Sequence, residues 1–233
     1  MLEVRHISFS WGRVPLLEDV TFQVAPGEVA VLAGANGAGK TTLLKILAGL
    51  VYPVSGTVVA NGFDAFRTPL RYRRLMGYLP EHAPADEDMD VRAYLKYRAL
   101  LRGEMTKKIR HRVEEAMELC GLEAQAETRI GTLSQGFRKR VALADALLLR
   151  PHFLLLDDLL AGLDCETRGS LGRMLAALSS FAAVLVSGHE LDELAPHASK
   201  FLVLKGGGVY GAKTPAGVRT ILRSVEPVAG GRT

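Results

Sequence analysis

A glycine-rich segment near the N-terminus carries residue types suited to binding phosphate. The segment is Gly34-Ala35-Asn36-Gly37-Ala38-Gly39-Lys40-Thr41-Thr42, in which two glycines bracket four residues before a Lys-Thr pair. Its glycines let the backbone wrap closely and aim N–H groups at an anion, and the N-terminus of the helix expected to follow adds positive potential. This pattern is the Walker A motif. It predicts that Lys40 meets the β- and γ-phosphates of a bound nucleotide and that the Thr41 hydroxyl is a magnesium ligand.

A carboxylate at the end of an apolar run complements this loop. Asp157 follows the four apolar residues of Phe153-Leu154-Leu155-Leu156, which have the length and composition of a buried strand. Ligands of α/β proteins bind at the carboxyl ends of the strands. The Walker B pattern therefore predicts that Asp157 holds a Mg²⁺ ion, mainly through the waters of the ion. Many core strands end in Asp, so this interpretation depends on the glycine-rich loop.

A third segment distinguishes between the many ATPases that share these two motifs. Leu133-Ser134-Gln135-Gly136-Phe137 resembles the signature of the ATP-binding subunits of ABC transporters, and Ser134 precedes Asp157 by 23 residues. Taken alone, Ser134 is an N-cap whose helix could bind an anion through its first N–H groups. The resemblance implies that Ser134, Gln135 and Gly136 contact the γ-phosphate of ATP held by a second subunit. ATP would then join two cassettes head to tail, as a homodimer or as a heterodimer.

Further positions match this family over almost the whole chain. Trp11 stands where the family places an aromatic ring that stacks on adenine, although an ordinary surface aromatic is the alternative. Asp164, in Ala161-Gly162-Leu163-Asp164, resembles the D-loop that contacts the opposite subunit. His189, in Ser187-Gly188-His189-Glu190, resembles the switch histidine that contacts the γ-phosphate, although a lone His is more often structural. Gln135 and Phe137 depart from the usual LSGGQ-like form and resemble the branch that serves simple ABC-2-type exporters.

Two positions in the expected catalytic site depart from the family pattern. Glu81 stands where a Gln is usual, and it keeps an oxygen for magnesium. Asp158 stands where the family usually has the Glu that acts as general base or positions water. Its side chain is one methylene shorter, which removes roughly 1.5 Å of reach. Either a small shift of the loop restores that reach, or the site binds ATP and hydrolyses it weakly.

Composition places limits on the class of protein. The chain has 233 residues, of which 48% are hydrophobic and 23% charged, which is typical of one globular domain or of a domain with an inserted subdomain. A net charge of +4 is a weak signal, so we expect no nucleic-acid partner. The two cysteines lack metal-type spacing. No apolar run approaches the roughly 20 residues that span a bilayer, and the N-terminus lacks an apolar signal core. We therefore expect no direct membrane insertion and a membrane link only through partners.

The pattern of apolar runs predicts the fold. Short runs without alternation at 29–32, 153–156, 183–186 and 201–204 are typical of parallel strands buried on both faces. The first 30 residues alternate more and predict antiparallel strands at one edge. In the middle, Asp90, Thr106 and Ser134 are placed to cap three successive helices. With the resemblance, these elements predict an α/β P-loop NTPase that has a RecA-like parallel sheet core, an N-terminal antiparallel β edge and an inserted helical subdomain.

The sequence thus predicts a single nucleotide-binding domain over residues 2–230, with a core at 1–80 and 151–230 and a helical subdomain at about 82–150. The resemblance implies a motor subunit that uses ATP and Mg²⁺, binds membrane-spanning permease subunits, lies on the cytoplasmic face of the membrane and serves an exporter. Two alternatives stay open: a nucleotide-binding switch that hydrolyses poorly, and a soluble ABC ATPase acting on ribosomes or DNA. The cargo is not specified, because its contacts would lie in partner chains.

Overall fold

Two β-sheets with helices packed around them make up the chain in a computed structural model, which describes residues 1–82 and 85–224. The strands are β1 (Leu2–Trp11), β2 (Val14–Val24), β3 (Val29–Gly34), β4 (Ser55–Ala60), β5 (Phe63–Asp64), β6 (Met76–Leu79), β7 (Phe153–Leu156), β8 (Ala183–Ser187), β9 (Lys200–Lys205) and β10 (Gly208–Ala212). The helices are α1 (Lys40–Leu47), α2 (Pro69–Arg74), α3 (Val91–Leu101), α4 (Thr106–Cys120), α5 (Gln135–Leu147), α6 (Cys165–Ser179), α7 (Leu191–Leu194) and α8 (Pro215–Arg223).

The larger sheet has the strand order β10-β9-β3-β8-β7-β6. All neighbours pair in parallel except β10, which pairs antiparallel with β9 at one edge. Strands β3, β7 and β8 are buried along their full length, because helices cover both faces of the sheet. The α/β class predicted from the apolar runs is confirmed, and parallel pairing brings the carboxyl ends of these strands to the same edge.

The N-terminal strands are antiparallel, as the alternation predicts, but they do not extend the parallel sheet. They form a separate sheet of order β2-β1-β4-β5. Apolar residues of this sheet, such as Ile7 and Val20, share a core with Leu43 and Leu44 of α1 and with Leu32 of β3. Helix α1 is therefore packed between the two sheets, and this packing holds the start of α1 at the carboxyl edge of the parallel strands.

Helices α3, α4 and α5 lie between β6 and β7 in the chain and share a second core with the other face of the parallel sheet. Ser134 caps α5, as expected, since its Oγ accepts a bond from the Phe137 N–H at 3.4 Å. Asp90 occupies the cap position of α3 without a side-chain bond. The prediction that Thr106 caps α4 is wrong: the Met105 carbonyl accepts the first bond, from the Lys108 N–H at 2.7 Å, so Met105 is the cap.

A buried carboxylate ties two of these helices together. Asp145 of α5 accepts charged bonds from Arg98 and Arg102 at the end of α3, at 3.0 and 2.9 Å. Residues 83–84 of the expected helical subdomain and residues 225–230 of the expected domain lie outside the described residues. Among the described residues, no helix combines the length and apolar character that crossing a bilayer demands.

A buried tyrosine anchors the end of α1, and its removal tests this packing. The Tyr72 hydroxyl donates to the Leu47 carbonyl at 2.6 Å, and carbonyls in the last turn of a helix lack partners within the helix. We expect Tyr72→Phe to lower the free energy of unfolding by about 1–3 kcal/mol, because it leaves that buried carbonyl unsatisfied. Denaturant unfolding measures the change. The control Tyr52→Phe, on an exposed ring, should cost less than about 0.5 kcal/mol; an equal loss in both variants would contradict the account.

Candidate functional site

A cavity of about 610 Å³ opens at the carboxyl ends of the parallel strands. Most of its lining was singled out from the sequence. The lining residues are Trp11, Leu16, Asn36, Gly37, Gly39, Lys40, Thr41, Thr42, Glu81, Asp157, Asp158, Ser187 and His189. Gly34, Ala35 and Ala38 complete the glycine-rich loop without being part of this lining. The fold therefore brings both predicted motifs and the predicted switch histidine to a single cavity.

The glycine-rich loop connects β3 directly to α1, and its backbone requires glycine at particular points. Gly39 has φ +104°, and a Cβ there would lie 3.1 Å from Leu16 Cγ. At Gly34 a Cβ would lie 2.8 Å from the Leu204 carbonyl oxygen. Larger residues at these two positions would force the loop open. The loop leads straight into the N-terminus of α1 at Lys40, where helix N–H groups and the helix dipole favour an anion.

Lys40 is the cation nearest the centre of this loop. Its Nζ donates to the carbonyls of Gly34 and Ala35 at 2.8 and 3.1 Å, and it lies 3.2 Å from His189 Nε2. Burial lowers the pKa of Lys40, and the carboxylates of Asp158, Asp157 and Glu81 oppose that shift. Two neutral carbonyls thus hold the side chain beside the loop, and a phosphate could replace them with a stronger charged partner.

Ser187 joins the two acidic residues that follow β7, a role that sequence reasoning missed. Its hydroxyl donates to Asp157 Oδ1 at 2.7 Å and accepts the Asp158 N–H at 3.0 Å. Asp157 is only 2% exposed, and its second oxygen, Oδ2, has no hydrogen-bond partner among the described residues. A buried carboxylate oxygen without a partner is costly and is typical of a site that binds a cation. The position of Ser187, at the last residue of an adjacent buried strand, was the available signal.

Asp158 has a constrained backbone and a free carboxylate. Its φ of +51° is in the left-handed region, which is uncommon for a residue other than glycine. The Lys139 Nζ donates to its carbonyl at 2.9 Å, whereas its Oδ1 is buried without a hydrogen-bond partner among the described residues. Burial raises the pKa of Asp158, the Glu190 carboxylate raises it further, and His189 opposes the shift. Such a group accepts a proton more readily than an ordinary Asp.

Two charged residues beside Asp158 received no role from the sequence. Lys139 lies beside Asp158 because α5 packs against the segment after β7. No local pattern in the sequence predicts that contact. Glu190 follows the switch histidine, and its Oε2 accepts the His189 N–H at 3.1 Å. A Cβ on Gly188 would lie 3.3 Å from that same Glu190 oxygen and 3.9 Å from Asp158 Oδ1, so the two carboxylates approach a common point.

Trp11 stands at the rim of the cavity. Its side chain is 62% exposed, and its ring packs edge-on against Phe9, with centroids 5.1 Å apart and planes at 86°. The indole is therefore fixed by one neighbour and open to solvent elsewhere. An open aromatic face beside a phosphate loop suits stacking with a base, and the base-stacking role of Trp11 stays a prediction.

The signature residues and Asp164 lie outside the cavity lining. Gln135 packs against the loop before α6, since a Cβ on Gly162 would lie 2.8 Å from its Nε2, and Gly136 faces Thr167. Asp164 caps α6: its Oδ1 accepts the Thr167 N–H at 2.9 Å, and that bond lowers the pKa of Asp164. Asp164 therefore has a structural task within its own chain, and its predicted place in a dimer interface stays a prediction.

Known proteins resemble this chain in both sequence and fold. Residues 17–161 match the family model described as ABC transporter. The chain is 34% identical over 209 residues to an uncharacterized ABC transporter ATP-binding protein of Bacillus subtilis, covering 90% of this chain and 69% of that protein. It is also 34% identical over 218 residues to a sulfate/thiosulfate import ATP-binding protein of Synechococcus elongatus, covering 92% of this chain and 63% of that one. The chain thus spans about two thirds of the length of these relatives.

Solved structures agree with these relatives. A structure described as the ATP binding subunit of an ABC transporter superposes with a TM-score of 0.82 at 29% identity, over 94% of this chain and 92% of that one. A dimeric bacterial ABC transporter cassette, MJ0796, superposes with a TM-score of 0.80 over 90% of this chain and 96% of that one, and at 23% identity it supports the fold alone.

The position of Lys40 generates a direct test of nucleotide binding. We expect Lys40→Ala to weaken MgATP binding by at least tenfold and to abolish turnover, because it removes the cation beside the loop that would meet the β- and γ-phosphates. Equilibrium titration with ATP measures the affinity. The matched control is Lys45→Ala, which removes the same charge from an exposed position on the same helix. Unchanged affinity in Lys40→Ala, or an equal loss in Lys45→Ala, would contradict the assignment.

Proposed function

The chain belongs to the ABC transporter family, and we propose that it is the motor subunit of a membrane transporter, which binds and hydrolyses ATP to drive permease subunits. The observation that carries this proposal is the single cavity in which the glycine-rich loop, Asp157, Asp158 and His189 converge. The rival candidates are a switch that binds ATP without efficient hydrolysis and an ABC ATPase acting on ribosomes or DNA.

ATP binding would use the geometry already present. The phosphates would take the loop of residues 34–42, and Lys40 would exchange its two carbonyl partners for phosphate oxygens. His189 already contacts Lys40, so it is close enough to reach the same terminal phosphate. Trp11, at the rim, would stack on adenine. The loop and the cation thus suit the phosphates of the ligand, and the open aromatic ring suits its base.

Magnesium would be held by Thr41, Glu81 and Asp157, which line the same cavity. The described residues contain no group of three His, Cys, Asp or Glu side chains that could hold a metal alone. Magnesium is usually bound by one or two carboxylates together with substrate phosphates. The unpaired Asp157 Oδ2 is a hard oxygen of the required kind, so these residues fit the ion. The bound ion would neutralise charge on the phosphates.

A second cassette would complete each ATP site. Ser134, Gln135 and Gly136 lie outside the cavity of their own chain, and Ser134 caps a helix of 13 residues. The N-terminus of such a helix can bind an anion. We propose that this helix end contacts ATP held by another chain, and that Asp164 lies in the same interface. Both a homodimer and a heterodimer satisfy this arrangement.

A groove that shares no lining residue with the candidate ATP cavity suits the permease subunits. It has a volume of about 730 Å³ and separates α1 and α2 from α3 and α5. Three large apolar side chains on it, Leu50, Leu70 and Leu101, are exposed. Basic residues such as Arg73 and Arg74 share the lining. Exposed apolar side chains grouped on one surface mark protein interfaces. We propose that permease subunits dock here, which would place the chain on the cytoplasmic face of the membrane.

One observation supports export as the direction of transport, and another supports import. The signature variant Leu133-Ser134-Gln135-Gly136-Phe137 resembles the branch that serves simple exporters, and we keep export in the proposal on that ground. A relative at 34% identity is named as a sulfate/thiosulfate import protein, which supports import. Because the cargo would contact the permease subunits, movement of cargo across sealed vesicles that contain the whole assembly decides between the two.

Hydrolysis by this chain should be slow. The Asp158 backbone is held by Ser187 at its N–H and by Lys139 at its carbonyl, and the next residue, Leu159, is fully buried. A general base needs hydrogen-bond reach to water, about 2.6–3.2 Å or one bridging water. These contacts fix where the side chain starts, so a carboxylate one methylene shorter than Glu ends farther from the attacking water. This supports the account in which ATP binding is intact and turnover is weak.

Changing the length of the residue at position 158 tests this account. We expect Asp158→Glu to raise the rate of phosphate release by roughly tenfold or more, because misplacement by about 1 Å can cost on the order of 10²-fold. Steady-state phosphate release is compared for wild type, Asp158→Glu and Asp158→Asn, each with its membrane partners. Asp158→Asn should be slower than wild type. Equal rates in Asp158→Asn and wild type would exclude a base at this position, and a slower Asp158→Glu would mean that the loop has adapted to Asp.

The groove provides the test of the motor function itself. We expect Leu70→Glu to lose its membrane-spanning partners while it binds ATP normally, because it replaces an exposed apolar contact with a charge that the interface must desolvate. Val54→Glu is the matched control: Val54 is 73% exposed and lies outside the groove lining, whereas Leu70 is 79% exposed within it. Purification from solubilised membranes, followed by identification of the bound chains, measures the loss. Recovery with ribosomes or DNA instead would support the soluble alternative.

A further inference from the structure

Lys139 lies where the signature helix meets the segment after β7. It is in the second turn of α5, whose first turn follows Ser134, and its Nζ donates to the Asp158 carbonyl at 2.9 Å. The side chain is half-buried. Burial lowers the pKa of Lys139, while the carboxylates of Asp158, Glu81, Asp157 and Glu190 favour its charged form. The Lys139 ammonium group is thus partly removed from water and lies among the carboxylates of the site.

The two basic neighbours of Lys139 in the sequence have other partners. Arg138 Nε donates to the Leu133 carbonyl at 3.0 Å, and Arg140 donates to the Cys120 carbonyl and to Ser170 Oγ at 3.1 and 2.8 Å. Arg138 therefore holds the residue just before the cap of α5, and Arg140 connects α5 to the end of α4 and to α6. Lys139 instead donates to the backbone carbonyl of Asp158, the residue proposed as general base.

The left-handed backbone of Asp158 requires contacts that hold it in place. The left-handed conformation costs a residue other than glycine roughly 1 kcal/mol or more and persists only where the surroundings impose it. Ser187, from β8, holds the Asp158 N–H, and Lys139, from α5, donates to its carbonyl, which also accepts a longer bond from the Ala161 N–H at 3.3 Å. The carboxylate between these two anchors has an oxygen with no hydrogen-bond partner among the described residues. The backbone is therefore fixed while the reacting group stays available.

We propose that Lys139 is a positioning residue, which sets the place of the Asp158 carboxylate by holding the Asp158 carbonyl to the signature helix. The inference rests on the proposed function, since it concerns the hydrolysis step of that site. The helix that begins at the Ser134 cap thus also carries the anchor of Asp158.

A positioning role and a purely structural role have different signatures. A residue that only fastens α5 to the loop would lower the thermal midpoint, ATP affinity and hydrolysis together when it is lost. A residue that positions Asp158 affects the hydrolysis step and leaves ATP affinity unchanged, because the phosphates bind the loop at residues 34–42. An arginine at position 139 keeps a long cationic donor and can still reach a carbonyl, whereas a methionine keeps the stem without the donor.

The experiment compares wild type, Lys139→Met, Lys139→Arg and the control Lys96→Met, which removes an exposed charge from the neighbouring helix α3. The full chain is used with the membrane proteins that co-purify with it. Single-turnover phosphate release, with protein in excess, detects even slow hydrolysis; ATP titration and thermal unfolding accompany it. We expect Lys139→Met to slow release by about tenfold or more, with ATP affinity within twofold of wild type and an unchanged thermal midpoint. Lys139→Arg should recover most of the rate, and Lys96→Met should match wild type.

Four results would overturn the inference. They are a wild-type rate in Lys139→Met, an equal loss in Lys139→Arg, a joint fall of rate, affinity and thermal midpoint, and no measurable release by a wild-type protein that binds ATP. Failure of the proposed function looks different, because a wild-type chain that does not bind ATP would refute the nucleotide site before Lys139 is considered.

Discussion

Parallel pairing of β3, β8 and β7 is the constraint on which the rest of the site depends. In this register Leu32 lies beside Ser187, and Leu156 lies beside Val186. The residues that follow each strand then emerge at one edge: the glycine-rich loop after β3, Asp157 and Asp158 after β7, and His189 after β8. Strands buried on both faces cannot shift register without exposing apolar residues, so the packing of the sheet fixes the spacing of the side chains at this edge.

Several polar groups at this edge are incompletely paired. Asp157 and Asp158 each keep a buried oxygen without a hydrogen-bond partner among the described residues, and Lys40 is held by neutral carbonyls and a histidine. Groups of this kind destabilise a fold unless something else satisfies them. A magnesium nucleotide has the matching chemistry, with a cation for the carboxylates and phosphate oxygens for the lysine. The unpaired carboxylate oxygens and the lysine therefore indicate a magnesium nucleotide as the ligand.

Two further surfaces are proposed to contact other chains. The start of α5 presents a capped helix N-terminus, and the groove between α1 and α3 presents exposed leucines. Helix α5 is connected to both: through Asp145 it contacts the end of α3 beside the groove, and through Lys139 it contacts Asp158. A single rigid helix therefore connects the proposed ATP interface, the proposed permease groove and the general-base position.

The local features of this protein were determined by its sequence. The glycine-rich loop, the apolar run before Asp157 and the cap at Ser134 are short patterns whose geometry depends on neighbouring residues, so they predicted the strands, the phosphate loop and the parallel core. The separate antiparallel sheet, the Ser187 bridge and the reach of Lys139 to Asp158 needed the tertiary structure. Ser187 is 30 residues from Asp157, and Lys139 is 19 residues from Asp158. Contacts between residues so far apart depend on how helices and strands pack, because no local pattern in the sequence records which side chains the sheet edge will bring together.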